Sequence, residues 1–377
     1  MGEYMKIGIL SMQRIKNYGS FLQALGLKIL IEDLGHHVEF IDYHINPVHG
    51  EKKSRMPYFL YRVIVDLYMY FKSIIPGMAD DVLDKKFCRF MAMYSYKYMR
   101  VLGIGLRRQY GNKEDVLVIG SDEVFNCLQN NIDVGFSMDL FGKTSNAKKI
   151  ISYAASFGNT TIDKIRICQI EKELAENLKT FASLSVRDKN SLGVLDSLGF
   201  EKVYMHLDPV LIANYKEYIV DNVDLRDYVI VYAYSKRINE NEANAITEFA
   251  QKHNKKLVCI GGVQSFCDDF IDCSPLEVLS YFKHADYIIT DTFHGTIFSV
   301  VNRKQFVTIV RKSQGNDYGN EEKLTDLLSK LKLEDRQLVN LADMETLLLK
   351  SIDYTDTISF IDKERERTIN YLKEQLS

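Results

Sequence analysis

A chain of 377 residues is too long for one ordinary hydrophobic core, so two domains are the expectation. The net charge of −3 excludes a nucleic-acid partner held by a whole-surface basic field, but not a small anionic substrate, which needs only a few local cations. The six cysteines form no C-x-x-C pair and fit no zinc spacing, and no uncharged apolar run reaches the roughly 18 residues that would span a membrane.

At the N-terminus, Met5 and Lys6 run directly into a strand with no secretory leader, so a cytoplasmic protein with reduced thiols is expected. Lys6 to Leu10 reads as that strand and Ser11 to Ser20 as a polar loop. Phe21 to Leu34 reads as a helix with apolar residues at Leu22, Leu25 and Ile29, closed by Gly35, and Val38 to Ile41 as the next strand. This is a β-loop-α-β unit with a right-handed crossover. Its loop has no G-x-G-x-x-G or Walker pattern, so no dinucleotide or P-loop site is indicated.

Residues 44–77 interrupt the pattern. Tyr58 to Ile75 is rich in aromatic and aliphatic residues and carries Arg62, Asp66 and Lys72. It reads as a helix or helical hairpin packed on the sheet or on a second subunit, as in a homodimer. The weak basicity of its polar face weighs against the other reading, a face laid on the inner surface of the membrane or over an acceptor site. The α/β pattern resumes with a strand at Asp115 to Ile119, whose Gly120-Ser121-Asp122 suits a tight turn and a helix start. A strand at Ile150 to Ala154, a helix at Leu174 to Phe181, a strand at Leu184 running into Arg187-Asp188-Lys189, and a helix at Ser191 to Leu198 follow.

Pro209 punctuates the chain, and the second half restarts the alternation. Strands are expected at 228–232, 257–260, 287–289 and 305–310, and helices at 240–253, 275–282, 297–301, 321–332 and 342–351. A charged final helix, 362–376, is long enough to reach back across the first domain. The division is 1–205 with a helical insertion at about 44–110, then 206–350, then 351–377. Asp286 to Phe298 places a hydroxyl, a carboxylate, an imidazole and a glycine at the end of a strand opening a helix, where open α/β sheets hold their ligands.

Several blocks in order resemble the polysaccharide pyruvyl transferase family. They are Lys6 to Leu10 with Asn17 to Ala24, Val118 to Asp122, Ser152 to Gly158, Ser185 to Lys189, Leu207-Asp208-Pro209, and Thr290 to Thr296. The resemblance implies an α/β chain with two Rossmann-like domains in a GT-B-like arrangement around a central cleft. It also implies transfer of the pyruvyl unit of phosphoenolpyruvate to two hydroxyls of a sugar or lipid-linked oligosaccharide. The product is a cyclic ketal with release of phosphate, and no further cofactor or metal is called for. Arg187 and His294 match donor-binding positions of the family. Better-studied members carry an Arg where this chain has Thr292, so another cation, Lys323 or Arg311, is expected to replace it from beside the loop 312–320.

The residues admit matching roles. His294 suits acid–base work near neutral pH, and Asp291 either orients its imidazole or lies under the helix start. Arg187 offers a bidentate fork for an anion, or an ion pair to Asp188. Asp122 meets an acceptor hydroxyl or caps a helix. Asn17, Tyr18, Gly19, Ser121, Thr292, Gly295 and Thr296 complete the expected substrate-binding set. His206 reads as structural, and Arg14, Lys16, Lys236, Arg237 and Lys323 are further candidate cations for the donor, weighed against solvated surface charges. A locally electropositive cleft is expected for a trianionic donor. Two competing readings remain: a nucleotide-sugar glycosyltransferase, and a non-catalytic glycan-assembly protein of the same fold.

Overall fold

Short runs that are apolar on both faces make strands covered by helices on both sides, and such strands pair in parallel. The computed structural model describes residues 4–51, 58–111, 113–312 and 320–377, and in it these runs form two six-stranded sheets. The first contains β1 (Lys6–Leu10), β2 (His37–Phe40), β3 (Val116–Asp122), β4 (Lys149–Ala155), β5 (Leu184–Val186) and β6 (Val203–Met205), in the order β2-β1-β3-β4-β5-β6. The second contains β7 (Tyr228–Tyr232), β8 (Lys256–Ile260), β9 (Asp269–Phe270), β10 (Tyr287–Thr290), β11 (Gln305–Ile309) and β12 (Gln337–Leu338), in the order β12-β11-β10-β7-β8-β9. Each neighbouring pair is parallel. Strand order reverses between β1 and β3 in one sheet and between β7 and β10 in the other, and the loops at those points carry the blocks singled out in the sequence. The arrangement is two Rossmann-like units in a GT-B-like plan.

The helix α1 (Tyr18–Glu32) begins three residues before the expected Phe21 and is buried nearly all round. The reason is its position between the two halves. The Tyr18 hydroxyl donates to the Cys273 carbonyl (2.9 Å), and the Tyr215 hydroxyl donates to the Leu22 carbonyl (2.7 Å). The insertion forms α2 (Tyr58–Ile74) and α3 (Val82–Lys97), packed on each other. Along the first half follow α4 (Ile162–Ile167), α5 (Glu171–Leu178), α6 (Lys189–Ser197) and α7 (Pro209–Ile212). The second half carries α8 (Glu240–Lys252), α9 (Val278–His284), α10 (Phe293–Val301), α11 (Glu321–Lys330) and α12 (Met344–Leu349). The last helix, α13 (Thr355–Gln375), returns to the first half: Tyr371 donates to the Ser152 carbonyl (2.8 Å) and Arg365 to the Ile212 carbonyl (2.7 Å).

Several sequence expectations shift. The helix read at 174–181 lies at 171–178, and that read at 275–282 begins only at Val278. No helix follows Asp122, where Glu123 to Asn126 turn instead, so Asp122 caps nothing. All six cysteines are free thiols. Among the described residues no helix is long and apolar enough to cross a membrane.

Candidate active site

The carboxyl ends of β1 and β3 face those of β7 and β10 across a cleft of about 380 Å³. The first half contributes Gly19, Ser20, Asp122, Glu123 and Arg187 to its walls, and the second Tyr234, Arg237, Thr292, His294 and Lys323. Two helices point their N-termini at it. Asn17 caps α1 by accepting from the Ser20 amide (2.6 Å), and Thr292 caps α10 by accepting from the Gly295 amide (2.9 Å). The partial positive charge of both helix ends therefore falls on the cleft.

Arg187, held at the end of β5, is 7% exposed. Its guanidinium donates to Asp208 Oδ2 (2.7 Å) and Asp122 Oδ1 (3.0 Å), and its planar group lies 4.5 Å from the Phe293 ring centre. Asp122 also accepts from the Ser20 hydroxyl (2.8 Å). From the opposite half, His294 Nε2 stands 3.4 Å from the same Asp208 oxygen, close enough for an ion pair but without a closed hydrogen bond. The other side of the imidazole rests on Gly19. A Cβ there would sit 2.8 Å from His294 Cε1 and closer still to Nδ1 and Cγ, so only glycine lets the ring approach α1. Arg187, Asp208 and His294 thus meet although 21 residues separate the first two and the third comes from the second sheet.

Other expected residues fall elsewhere. Asp291 does not orient His294. It points away from the ring, 3.0 Å from Arg237 Nε and 3.6 Å from Arg311 NH1, and Asp208 takes the position beside the imidazole. The physical reason is local: Asp291 precedes the cap Thr292, so its side chain leaves the chain before the helix that carries His294 begins. Arg187 does not pair with Asp188, which caps α6 through the Ser191 amide (2.8 Å). Tyr18 and Ser121 are fully buried behind the cleft, Ser121 bonded to Gln23. Gly295 and Thr296 serve the start of α10, where Thr296 donates to the Thr292 carbonyl (3.0 Å). Lys323 lines the cleft but is bonded to Glu123, and Arg311 donates to Glu242 (2.7 Å). His206 bonds Ser185 (2.7 Å), and burial pushes its imidazole down to about 3, in keeping with a structural place. Most of the loop 312–320, residues 313–319, lies outside the described residues.

Among the described residues the charged side chains do not make the cleft electropositive: Arg187, Arg237 and Lys323 line it together with Asp122, Glu123 and Asp291. Burial pushes the Asp208 carboxyl up, but His294 and Arg187 outweigh it and hold the group below the usual carboxylate range. Burial likewise opposes Asp122, with Arg187 and His294 prevailing, and Glu123, with Lys323 prevailing. Asp291 goes the other way: burial raises it, and Arg237 and Arg311 offset this only in part. Sequence reading missed Asp208 and Glu123 as members of the site and favoured a solvated charge for Arg237 over its candidate role. A signal for Arg237 existed, since it follows β7, the strand that pairs with β10 in the finished sheet.

Two Rossmann-like units thus meet at a cleft where two helix N-termini, Arg187, Asp208 and His294 converge. The sequence model of the polysaccharide pyruvyl transferase family matches residues 17–313, well over half of the chain, and the chain belongs to that family. It is a transferase. No curated protein matches the chain. Among solved structures it is similar to the UDP-GlcNAc 2-epimerase of Methanocaldococcus jannaschii, at 12% identity over 97% of this chain and 100% of that one, with a TM-score of 0.47. It is also similar to the S. aureus MnaA structure with UDP, at 13% identity over 99% and 97%, TM-score 0.46. A third is the glycotransferase of kitacinnamycin, at 10% identity over 99% and 100%, TM-score 0.46. At these values nothing about chemistry carries over.

Proposed function

We propose that the chain transfers the pyruvyl group of phosphoenolpyruvate to two hydroxyls of a sugar in a glycan precursor, forming a ketal and releasing phosphate. The observation that carries this reading is the meeting of Arg187 and His294, from opposite halves, on one oxygen of Asp208. The donor carries a carboxylate and a phosphate. Arg187, Arg237 and the N-termini of α1 and α10 are the groups that suit anions here.

The reaction needs one group that gives and regains a proton, and His294 is the imidazole in the cleft. Its proton adds to the methylene carbon of the donor, which becomes a methyl group, while positive charge develops at the adjacent carbon. A sugar hydroxyl attacks that carbon and returns a proton to the imidazole. The bond from that carbon to the phosphate oxygen breaks, and phosphate leaves with its electrons. The second hydroxyl closes the ketal, and its proton goes to the phosphate. One donor and two hydroxyls thus give one ketal and one phosphate without oxidant or reductant. Asp208 orients the ring, and the buried Asp122–Arg187–Asp208 network fixes the guanidinium against which the donor lies.

Phosphate release and product mass, measured with phosphoenolpyruvate and a panel of glycan precursors, test the reading. His294→Gln is expected to lower turnover by a factor of about 10² to 10⁴ with the fold intact, since Gln keeps much of the size but shuttles no proton. Unchanged release would remove His294 from the chemistry. Thermal stabilisation by a nucleotide sugar but not by phosphoenolpyruvate would transfer the assignment to glycosyl transfer.

A further inference from the structure

An amphipathic helix on a globular surface normally turns its apolar stripe to the core and its charges to water. Helix α2 does the reverse. Arg62 donates to Asp133 (2.9 Å), Asp66 pairs with Lys16 (2.6 Å), and Lys72 pairs with Asp84 (2.8 Å), so each of its charged side chains is taken up by the protein. The opposite stripe, Leu60, Ile64, Leu67, Phe71 and Ile74, is exposed, with Leu67 at 50%. At 17 residues the helix is about 25 Å long, so this apolar face exceeds what a monomer ordinarily leaves in water.

Charge decides what covers it. Residues 44–110 hold twelve Lys and Arg against five Asp and Glu, a net of +7 in a chain of net −3, so the remainder carries −10. Lys85, Arg89, Lys97, Arg100 and Arg107 are exposed, and none takes part in an ion pair among the described residues. Exposed acids on the described part of the hairpin are confined to Asp80 and Asp81. A second copy docked by the same face would bring two such cationic surfaces together, whereas an anionic surface with an apolar interior complements both features. We propose that the α2–α3 insertion docks this protein on an anionic lipid bilayer, with α2 lying in the plane of the interface and its apolar stripe among the acyl chains. This docking does not rest on the pyruvyl-transfer reading.

The test is sedimentation of the full chain with lipid vesicles. Binding is expected to vesicles of equal parts phosphatidylcholine and phosphatidylglycerol. It should be at least about tenfold weaker on phosphatidylcholine alone, since each cation near an anionic leaflet contributes roughly a fivefold factor. It should weaken as salt is raised and be lost in a Leu67→Asp/Phe71→Asp double variant. Both side chains are exposed, so the variant should keep its far-ultraviolet dichroism and phosphate-releasing activity on a soluble acceptor. A Lys85→Glu/Arg89→Glu variant should keep residual binding but lose the preference for phosphatidylglycerol. A chain that stays in the supernatant with every vesicle overturns the proposal. So does a dimer in sedimentation velocity that the double variant converts to monomer, which would give the face to a second copy.

Discussion

The cleft and the helical insertion both turn charged side chains inward, and they do so to opposite effect. In the cleft, Arg187, Asp122 and Asp208 are buried together, each with an ionic partner, beside the open space that His294 and Arg237 also line. In the insertion, Arg62, Asp66 and Lys72 are likewise paired, but the side of α2 they leave free is apolar and open. Helix orientation therefore follows the ionic partners that tertiary structure supplies, here Asp133, Lys16 and Asp84, before it follows hydrophobicity. Buried charge lines an open cleft in one place and leaves an exposed apolar face in the other.

The largest break in this contrast should come from Asp208→Ala. It leaves Arg187 with one carboxylate instead of two and His294 with none, so unfolding in urea should show a loss of about 3–5 kcal/mol, and phosphate release should vanish. An unchanged urea midpoint would mean that the network does not hold the cleft together.

Acid should act on the cleft next. The Asp208 and Asp122 carboxyls lie below their ordinary range in the folded protein, so the stability they contribute is fully present above about pH 4 and drains away as pH falls through their lowered folded values. Asp291, raised by burial, contributes with the opposite sign and is relieved on acidification. Urea midpoints between pH 6 and pH 3 should fall in the wild type and fall less in Asp208→Asn. A variant with the wild-type slope would discharge Asp208 from this role.

A smaller effect separates the cations. Arg237→Met should raise the donor KM roughly tenfold, as loss of a charge-assisted hydrogen bond would, whereas Lys323→Met should change it less because Glu123 already engages that amine. The reverse ranking would place the donor against α11. Smallest of all, Leu67→Asp on the open face of α2 should shift stability by less than about 0.5 kcal/mol in buffer. A larger loss would show that the face is packed after all.

Much of the fold was legible because β-branched runs, glycine stops and proline punctuation are local. The sequence also pointed to Thr290 to Thr296, through its hydroxyl, imidazole and glycine at a strand end, and to Arg187 through the family resemblance. What it hid was long-range. Asp291 is three residues from His294 and looked like its partner, while Asp208 is 86 residues away and took the place. Only the order of strands, with β7 beside β10, brings Arg237 to the same rim. The apolar stripe of α2 was visible as a pattern, but its direction depended on Asp133 and Lys16, which lie far off in the chain.

The contact between Gly19 and His294 carries a consequence for timing. The imidazole belongs to one body and its seat to another, so the ring registers whether the two bodies are together. Were they to part, the ring would lift off α1, while Arg187 stayed behind with Asp122. A donor held in the parted form would keep its anion contact yet meet no proton source. On the pyruvyl-transfer reading proposed above, the enol phosphate would then be spared idle hydrolysis until both the acceptor and the second body had arrived.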